Sequence, residues 1–177
     1  LIDSGKLLDT MRRYMGYTFL GKDILEFGTG NGRMTKHLRH FFGEYTAMDI
    51  SETMLGLLRE KVDASIVRGN GTSIPIKPVD IIFTFTVLMH NKKSLVPKIV
   101  EQFNKVLKPG GYLFMQLPCY STGHDISEFD GVTIWTPDEI RVLGGDFEIL
   151  HIADSERELG SQISPQHFEY HVLRRVV

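Results

Sequence analysis

The chain has few of the features that would mark a secreted, membrane-embedded or nucleic-acid-binding protein. Its one cysteine, Cys119, cannot close an intramolecular disulfide, which excludes a stapled secreted scaffold and fits a reducing compartment, with the cytoplasm as the expected location. Its longest strongly apolar run, "VDIIFTFTVLMH", is far shorter than the roughly 20 residues a membrane helix requires. No charged-then-apolar signal opens the chain, so no membrane association is expected. A net charge of -2 leaves no broad electrostatic footprint for nucleic acid. No His/Cys/Asp set has metal-ligand spacing, so no metal is expected. The first residue is Leu rather than Met, which leaves an upstream segment or partner domain open.

What is present is the pattern of one globular domain. At 177 residues the chain is long enough to bury a substantial core, and a second independent core is not expected. Residues 4–15 place Leu7, Leu8, Met11 and Met15 at helical spacing, so an amphipathic helix is predicted to end near Gly16. Strand and helix signals then alternate: strands at 23–27, 45–50, 64–70, 79–90 and 112–118, helices at 33–42, 51–62 and 92–107. Ser51 is positioned to cap the second of these helices, Pro97 lies in the first turns of the third, and "KPGG" stops it. The near-continuous apolar character of 79–90 is that of a strand covered on both faces. A loop to about 135, a short helix opened by Thr136 and Pro137, and strands at 147–154 and 167–176 complete the chain. Because those last two lack a long helix between them, they are expected to add an antiparallel element to a mostly parallel sheet.

The stretch "DILEFGTGNGRM" holds Gly28, Gly30 and Gly32 between a strand and a helix. Such a turn exposes unpaired helix amides and lets a ligand approach the main chain, although a tight structural turn has the same glycines. The order is G-x-G-x-G, and Arg33 stands where a dinucleotide fingerprint needs its third glycine, so a nicotinamide-dependent oxidoreductase is disfavoured. No Gly-Lys-Ser/Thr follows, and Glu26 at the strand end would repel a phosphate but suits a cationic ammonium group. Asp49 falls at the end of the second strand, where an acid accepts both hydroxyls of a ribose.

The segments "ILEFGTGNGRMTKHL", "AMDISETML", "VRGNGTSIPI", "VDIIFTFTVLMH" and "FNKVLKPGGYLFMQLP" occur in an order and at intervals that resemble the class I S-adenosylmethionine-dependent methyltransferases, most of all their small-molecule type 11 group. The resemblance runs from about residue 23 to 117. It implies an α/β, Rossmann-like doubly wound fold: a mostly parallel seven-stranded sheet with a C-terminal antiparallel hairpin strand and helices on both faces. Residues 1–177 would then form one domain, with 1–20 as an opening helix or cap, 21–117 as the cofactor-binding core and 118–177 as the acceptor side. It further implies S-adenosyl-L-methionine as cofactor. Glu26, Phe27, Gly28, Gly30 and Gly32 would surround the methionine part, Asp49 the ribose, and Ile50 and Met54 the adenine. Asn70, with Gly71 and Thr72, stands where the family commonly has an aspartate that receives the adenine amino group. The Asn70 amide oxygen can accept the same bond. Phe85 and Thr86 would lie near the sulfonium. Ile50, Met54 and Phe85 read equally well as core packing.

Methyl transfer is an in-line displacement at an activated carbon, so alignment and exclusion of water come first and a base is optional. Where the acceptor must lose a proton, His90 is the candidate base, with a loop-orienting histidine as the plain alternative. Only the opening helix and 118–135 remain to recognise an acceptor, which favours a small molecule. Within that segment His124, Asp125, Glu128, Phe129, Asp130 and Trp135 are candidates, and Tyr14 and Tyr17 near the opening helix are others. The expected function is methyl transfer to an O or N atom of a small-molecule acceptor. A non-catalytic cofactor-binding domain of a larger protein is the second reading, and the oligomeric state is left open.

Overall fold

The structure, a computed structural model, describes residues 2–120, 128, 129, 131–154 and 169–177. Helix α1 (Ile2–Met15) buries Leu7 and Met11 and ends at Gly16, whose φ of 61° and bond from its N–H to the Arg12 carbonyl (2.9 Å) close the last turn. It leads to β1 (Ile24–Phe27), α2 (Thr35–Leu38), β2 (Tyr45–Asp49), α3 (Glu52–Arg59), β3 (Ser65–Arg68), β4 (Val79–Thr84), α4 (Val96–Val106) and β5 (Leu107–Met115). A two-residue hairpin, β6 (Glu128–Phe129) with β7 (Val132–Thr133), precedes α5 (Pro137–Leu143), β8 (Phe147–His151) and β9 (His171–Arg175).

Seven strands form one sheet in the order β3-β2-β1-β4-β5-β9-β8. All neighbours from β3 to β5 are parallel; β9 runs antiparallel to both β5 and β8. The chain starts in the middle and winds outward in both directions, so the order reverses between β1 and β4. Ligands of open α/β sheets bind outside the carboxyl ends of the strands at such a point. One apolar layer, with Leu25, Met48, Ile82 and Leu113 from the strands, meets Ile99 and Phe103 of α4 and Ile140 of α5. The other, with Ile24, Ala47, Ile81 and Phe114, meets Leu7 and Met11 of α1, Leu38 of α2 and Leu58 of α3. The expected layers and the antiparallel terminal pair are observed; that β9 slots between β5 and β8 was not foreseen.

Several boundaries differ from those expected, three of them for a clear physical reason. The helix expected over 33–42 is four residues of α2 followed by a 3-10 turn over Arg39–Phe41, because the chain leaves the helix to bury Phe42 against Phe19 and Tyr45. The apolar run 79–90 is not one strand. It stops at Thr84, turns at Thr86 (φ 55°) and places Leu88 and Met89 in the core from a 3-10 turn. A run apolar on all sides does not by itself distinguish strand from buried turn. Finally, "KPGG" is a bulge inside β5: Leu107 pairs with Val79 and Tyr112 with Ile81, so residues 108–111 stand opposite Asp80 alone. A Cβ on Gly111 would come within 2.8 Å of the Lys108 carbonyl and 2.9 Å of the Asp80 carbonyl, which only glycine avoids. Both caps hold as read. The Ser51 hydroxyl accepts from the Met54 N–H (3.3 Å), and Thr136 and Glu139 form a capping box with Pro137 in the first turn.

Candidate functional site

The glycine loop leaves β1 with Gly28, Gly30 and Gly32 all at positive φ (81°, 54° and 80°). Their surroundings separate them. A Cβ on Gly28 would meet Val87 of the β4 turn at 2.1 Å, and one on Gly32 would meet Leu58 of α3 at 2.2 Å, whereas none of the described residues lies within 4 Å at Gly30. Gly28 and Gly32 are packing glycines, and Gly30 faces open space. The loop amides are not loose. Those of Gly28 and Thr29 donate to the Met48 carbonyl (2.7 and 3.0 Å), and that of Gly30 donates to Asp49 Oδ2 (2.8 Å).

Asp49, at the carboxyl end of β2, is half-buried; its other oxygen, Oδ1, accepts from the Ser51 N–H (2.9 Å). A carboxylate has about four lone-pair positions, so with one donor on each oxygen it retains acceptor capacity on both. Beside it Ile50 is 64% exposed and Met54 41% exposed. These two are open apolar surface rather than core, the arrangement a flat heterocycle requires. Two vicinal hydroxyls on Asp49 and a base on Ile50 and Met54 therefore fit the residues present.

Glu26 sits elsewhere than expected. Its side chain shares the α1/α2 face with Ile24 and lies 4% exposed, where Oε2 accepts from Thr35 Oγ1 and from the Tyr45 hydroxyl, both at 2.6 Å. Because the Thr35 hydrogen goes to Glu26, Thr29 Oγ1 must donate to Thr35 Oγ1 (2.7 Å), and the chain of bonds ties the loop to the strand beneath it. Burial pushes the Glu26 carboxyl up to about 7, against the opposing pull of Thr35, Tyr45, Thr29 and the Arg33 charge. Glu26 thus anchors the loop from behind. Phe27 also differs: its ring is buried, edge-on to Phe103 at 5.1 Å, and a Cβ on Gly71 (φ 84°) would strike it at 2.6 Å. Its side chain belongs to the core.

Asn70 is exposed, but its Oδ1 already accepts from the Thr72 N–H (3.1 Å) and hydroxyl (2.8 Å). Both lone pairs of the oxygen expected to receive an adenine amino group are thus engaged by Thr72 in this structure, and the Asn70 NH2 remains to donate. Phe85 and Thr86 are half-buried at the end of β4, and the Thr86 N–H donates to Gln116 Oε1 (3.2 Å). A β-branched residue at φ 55° is a strained exception, of the kind that clusters at functional sites. His90 is exposed at the end of the 3-10 turn Leu88–His90, six residues past the end of β4 at Thr84.

On the acceptor side, His124, Asp125 and Asp130 lie outside the described residues, and of Glu128 and Phe129 only the backbone is described. Trp135 is buried, donating from Nε1 to Thr133 Oγ1 (3.1 Å) under the Lys93 ammonium. Tyr17 is 68% exposed, while Tyr14 is tilted against His151 with ring centres 6.2 Å apart. Cys119 is buried and its thiol pushed up to about 12 by burial, so it is unreactive. Two buried residues of the terminal segment also border this end of the sheet. His171 is fully buried, its Nε2–H donating to the Leu117 carbonyl (3.0 Å) and its Nδ1 accepting from the Ala153 N–H (3.1 Å); burial lowers it to about 4, so it is neutral and straps β9 to the end of β5. Tyr170 precedes it, its ring near Phe85. Position alone could not single out either, since both read as ordinary residues of a terminal strand.

The sequence profile of the methyltransferase domain family matches residues 25–115, and the chain belongs to that family, whose cofactor is S-adenosylmethionine. The matched span covers β1, the glycine loop, Asp49 and the whole of β4 and β5. A phosphoethanolamine N-methyltransferase of Triticum aestivum is 32% identical over 116 residues, 61% of this chain and 23% of that protein. The chain spans about a quarter of the length of the curated phosphoethanolamine relatives it matches. Among solved structures, a S-adenosylmethionine-dependent methyltransferase from Clostridium acetobutylicum superposes with a TM-score of 0.74 at 13% identity, over 98% of this chain and 91% of that one. An amino pentose methyltransferase from Micromonospora echinaspora, with S-adenosylmethionine bound, gives 0.74 at 14% identity over 98% and 90%. At those identities the likeness is one of fold. No described helix is long and apolar enough to cross a membrane.

Proposed function

We propose that this chain is a S-adenosylmethionine-dependent methyltransferase that moves a methyl group to an O or N atom of a small-molecule acceptor, in the cytoplasm, with residues 1–177 acting as one domain. The observation that carries the reading is Asp49: it stands at the carboxyl end of β2, bonded to the open glycine of the loop, with acceptor capacity left on both oxygens and bare apolar side chains beside it. The cofactor supplies a methyl carbon already activated by a sulfonium. The chain's own residues do the rest. Asp49 accepts the ribose hydroxyls, Ile50 and Met54 cover the base, and Gly30, kept free of a side chain, lines the methionine part. Phe85 and Thr86 border the reacting carbon, and the strained Thr86 backbone is held by Gln116. Such preorganised alignment is the main contribution a protein makes to a displacement of this kind.

The amine acceptor in the names of the plant relatives supports nitrogen as the receiving atom. His90 is proposed as the base for an acceptor that must lose a proton; its exposure leaves it accessible to solvent and substrate. The test is turnover with methyl-labelled S-adenosylmethionine against a panel of small amines, hydroxyl compounds and their phosphorylated forms. Label recovered in one product class supports the reading. Tight cofactor binding with no labelled product from any of them would support a binding domain instead.

A further inference from the structure

The hydroxyl of Tyr170 has no hydrogen-bond partner among the described residues, although the side chain is 3% exposed. A buried, unpaired O–H is costly to maintain and calls for an explanation. Its place in the fold supplies one. Tyr170 enters β9 at the end of the sheet where the carboxyl ends of β4 and β5 lie, since His171 pairs with Met115. Its ring lies 6.4 Å from that of Phe85, and the Arg33 guanidinium covers the Phe85 ring at 5.0 Å. Arg33 is in turn ion-paired through Nη1 with Asp3, in the first turn of α1. Burial, and then the charges of Asp3 and Glu26, raise the Tyr170 phenol well above its ordinary range, while the Arg33 charge opposes them. Glu26 is already bonded by Thr35 and Tyr45, so Asp3 is the carboxylate that a ligand can exchange with.

On the proposed methyltransferase reading, we infer that Tyr170 and Arg33 form the acceptor-recognition end of the site, and that the acceptor carries an oxyanion, a carboxylate or a phosphate, which takes the place Asp3 holds on Arg33. The guanidinium presents a planar fork of donors matched to such a group, and the Tyr170 O–H supplies one more. Phe85, between them, sets the distance from the anion to the reacting carbon. Asp3 is then an internal substitute that keeps Arg33 in place, and α1 must release it for the acceptor to enter.

The experiment is calorimetric titration of inorganic phosphate and, separately, of acetate into the protein with and without S-adenosylhomocysteine. The wild type is expected to bind at least one anion, and which one distinguishes a phosphate from a carboxylate acceptor. Tyr170→Phe is expected to weaken that binding roughly tenfold, as loss of one hydrogen bond to a charged group does. Arg33→Met is expected to abolish it. Asp3→Asn, an edge-of-fold change that leaves the ring cluster intact, is expected to tighten it, which a purely structural role for the Asp3–Arg33 pair does not predict. Anion binding that is equal in all four proteins, or absent from both wild type and Asp3→Asn, overturns the inference. Affinity for S-adenosylhomocysteine in the same samples reports on the cofactor reading separately: failure there with anion binding intact sinks the function, and the reverse sinks only the acceptor assignment.

Discussion

At the amino ends of β1, β4 and β5, Lys108 leans out of the β5 bulge to bond Asp23 (3.1 Å) and Asp80 (2.9 Å), Asp80 accepts the Asp23 N–H (3.0 Å), and Asp23 accepts the Glu44 N–H (3.0 Å). At the carboxyl ends of the same sheet, Thr86 sits at φ 55°, the buried hydroxyls of Thr84 and Tyr170 lack partners among the described residues, and Ile50 and Met54 present apolar surface to water. The first end is tied by ion pairs, although the buried Asn104 Oδ1 near the end of α4 also lacks a partner among the described residues; the second carries the strained backbone and the bare apolar surface. Backbone strain reduces stability and clusters at functional sites, so Thr86 favours the carboxyl end as the one a ligand completes.

Substitutions break this contrast in graded ways. Gly28→Ala is expected to be the most damaging. It combines a positive φ with a 2.1 Å collision against Val87. It is expected to cost about 2–5 kcal/mol. Gly30→Ala meets nothing and is expected to cost about 1 kcal/mol while weakening cofactor binding. Urea midpoints and S-adenosylhomocysteine affinities of the pair separate a packing glycine from a ligand-facing one.

Glu26 gives the next largest effect, and its sign is distinctive. Its folded carboxyl titrates at about 7 against an ordinary 4.5, so the native state holds the proton longer than the unfolded chain. The stabilisation is complete below 4.5 and is lost as the pH climbs through about 7. Across that window the wild type should lose roughly 3 kcal/mol relative to Glu26→Gln, which has no charge to bury. Urea midpoints of both proteins on either side of the window check it, and parallel curves would refute the buried-anchor role.

Asp49→Ala is expected to weaken S-adenosylhomocysteine binding by about 1–3 kcal/mol with a smaller change in melting temperature. Lys108→Ala, at the other end of the sheet, is expected to do the converse. Its pairs are partly exposed, with side-chain exposure of 40% for Lys108 and 21% for Asp80, so the loss of stability is about 0.5–1.5 kcal/mol and cofactor affinity is unchanged.

The turn and strand ends on which the cofactor reading rests were legible in the sequence because their signals are local. Glycines that must adopt positive φ, an acid ending a strand and Ser51 capping the next helix each depend on neighbours within a few residues. The same locality made β1, β2 and the Thr136 cap readable to within a residue. Glu26 and Phe27 were assigned to the ligand because alternation along a four-residue strand does not say what covers each face. Thr35, Tyr45 and Phe103, which claim them, are 9, 19 and 76 positions away. The β4 run was overextended for a related reason: Val87, Leu88 and Met89 are apolar because they pack, and only the backbone at Thr86 reveals that the strand has ended. Tyr170 and Arg33 approach the same ring, Phe85, from opposite ends of the chain, Tyr170 through the insertion of β9 beside β5, which no local pattern announces.

The central claim is that the loop after β1 and Asp49 at the end of β2 form a site for an adenosyl cofactor. Calorimetry with S-adenosylhomocysteine and with NAD on the wild type and Asp49→Ala tests it most directly. Micromolar binding of S-adenosylhomocysteine that Asp49→Ala weakens, with no binding of NAD, is the expected result. Micromolar binding of NAD without binding of S-adenosylhomocysteine, or an affinity untouched by Asp49→Ala, would contradict it.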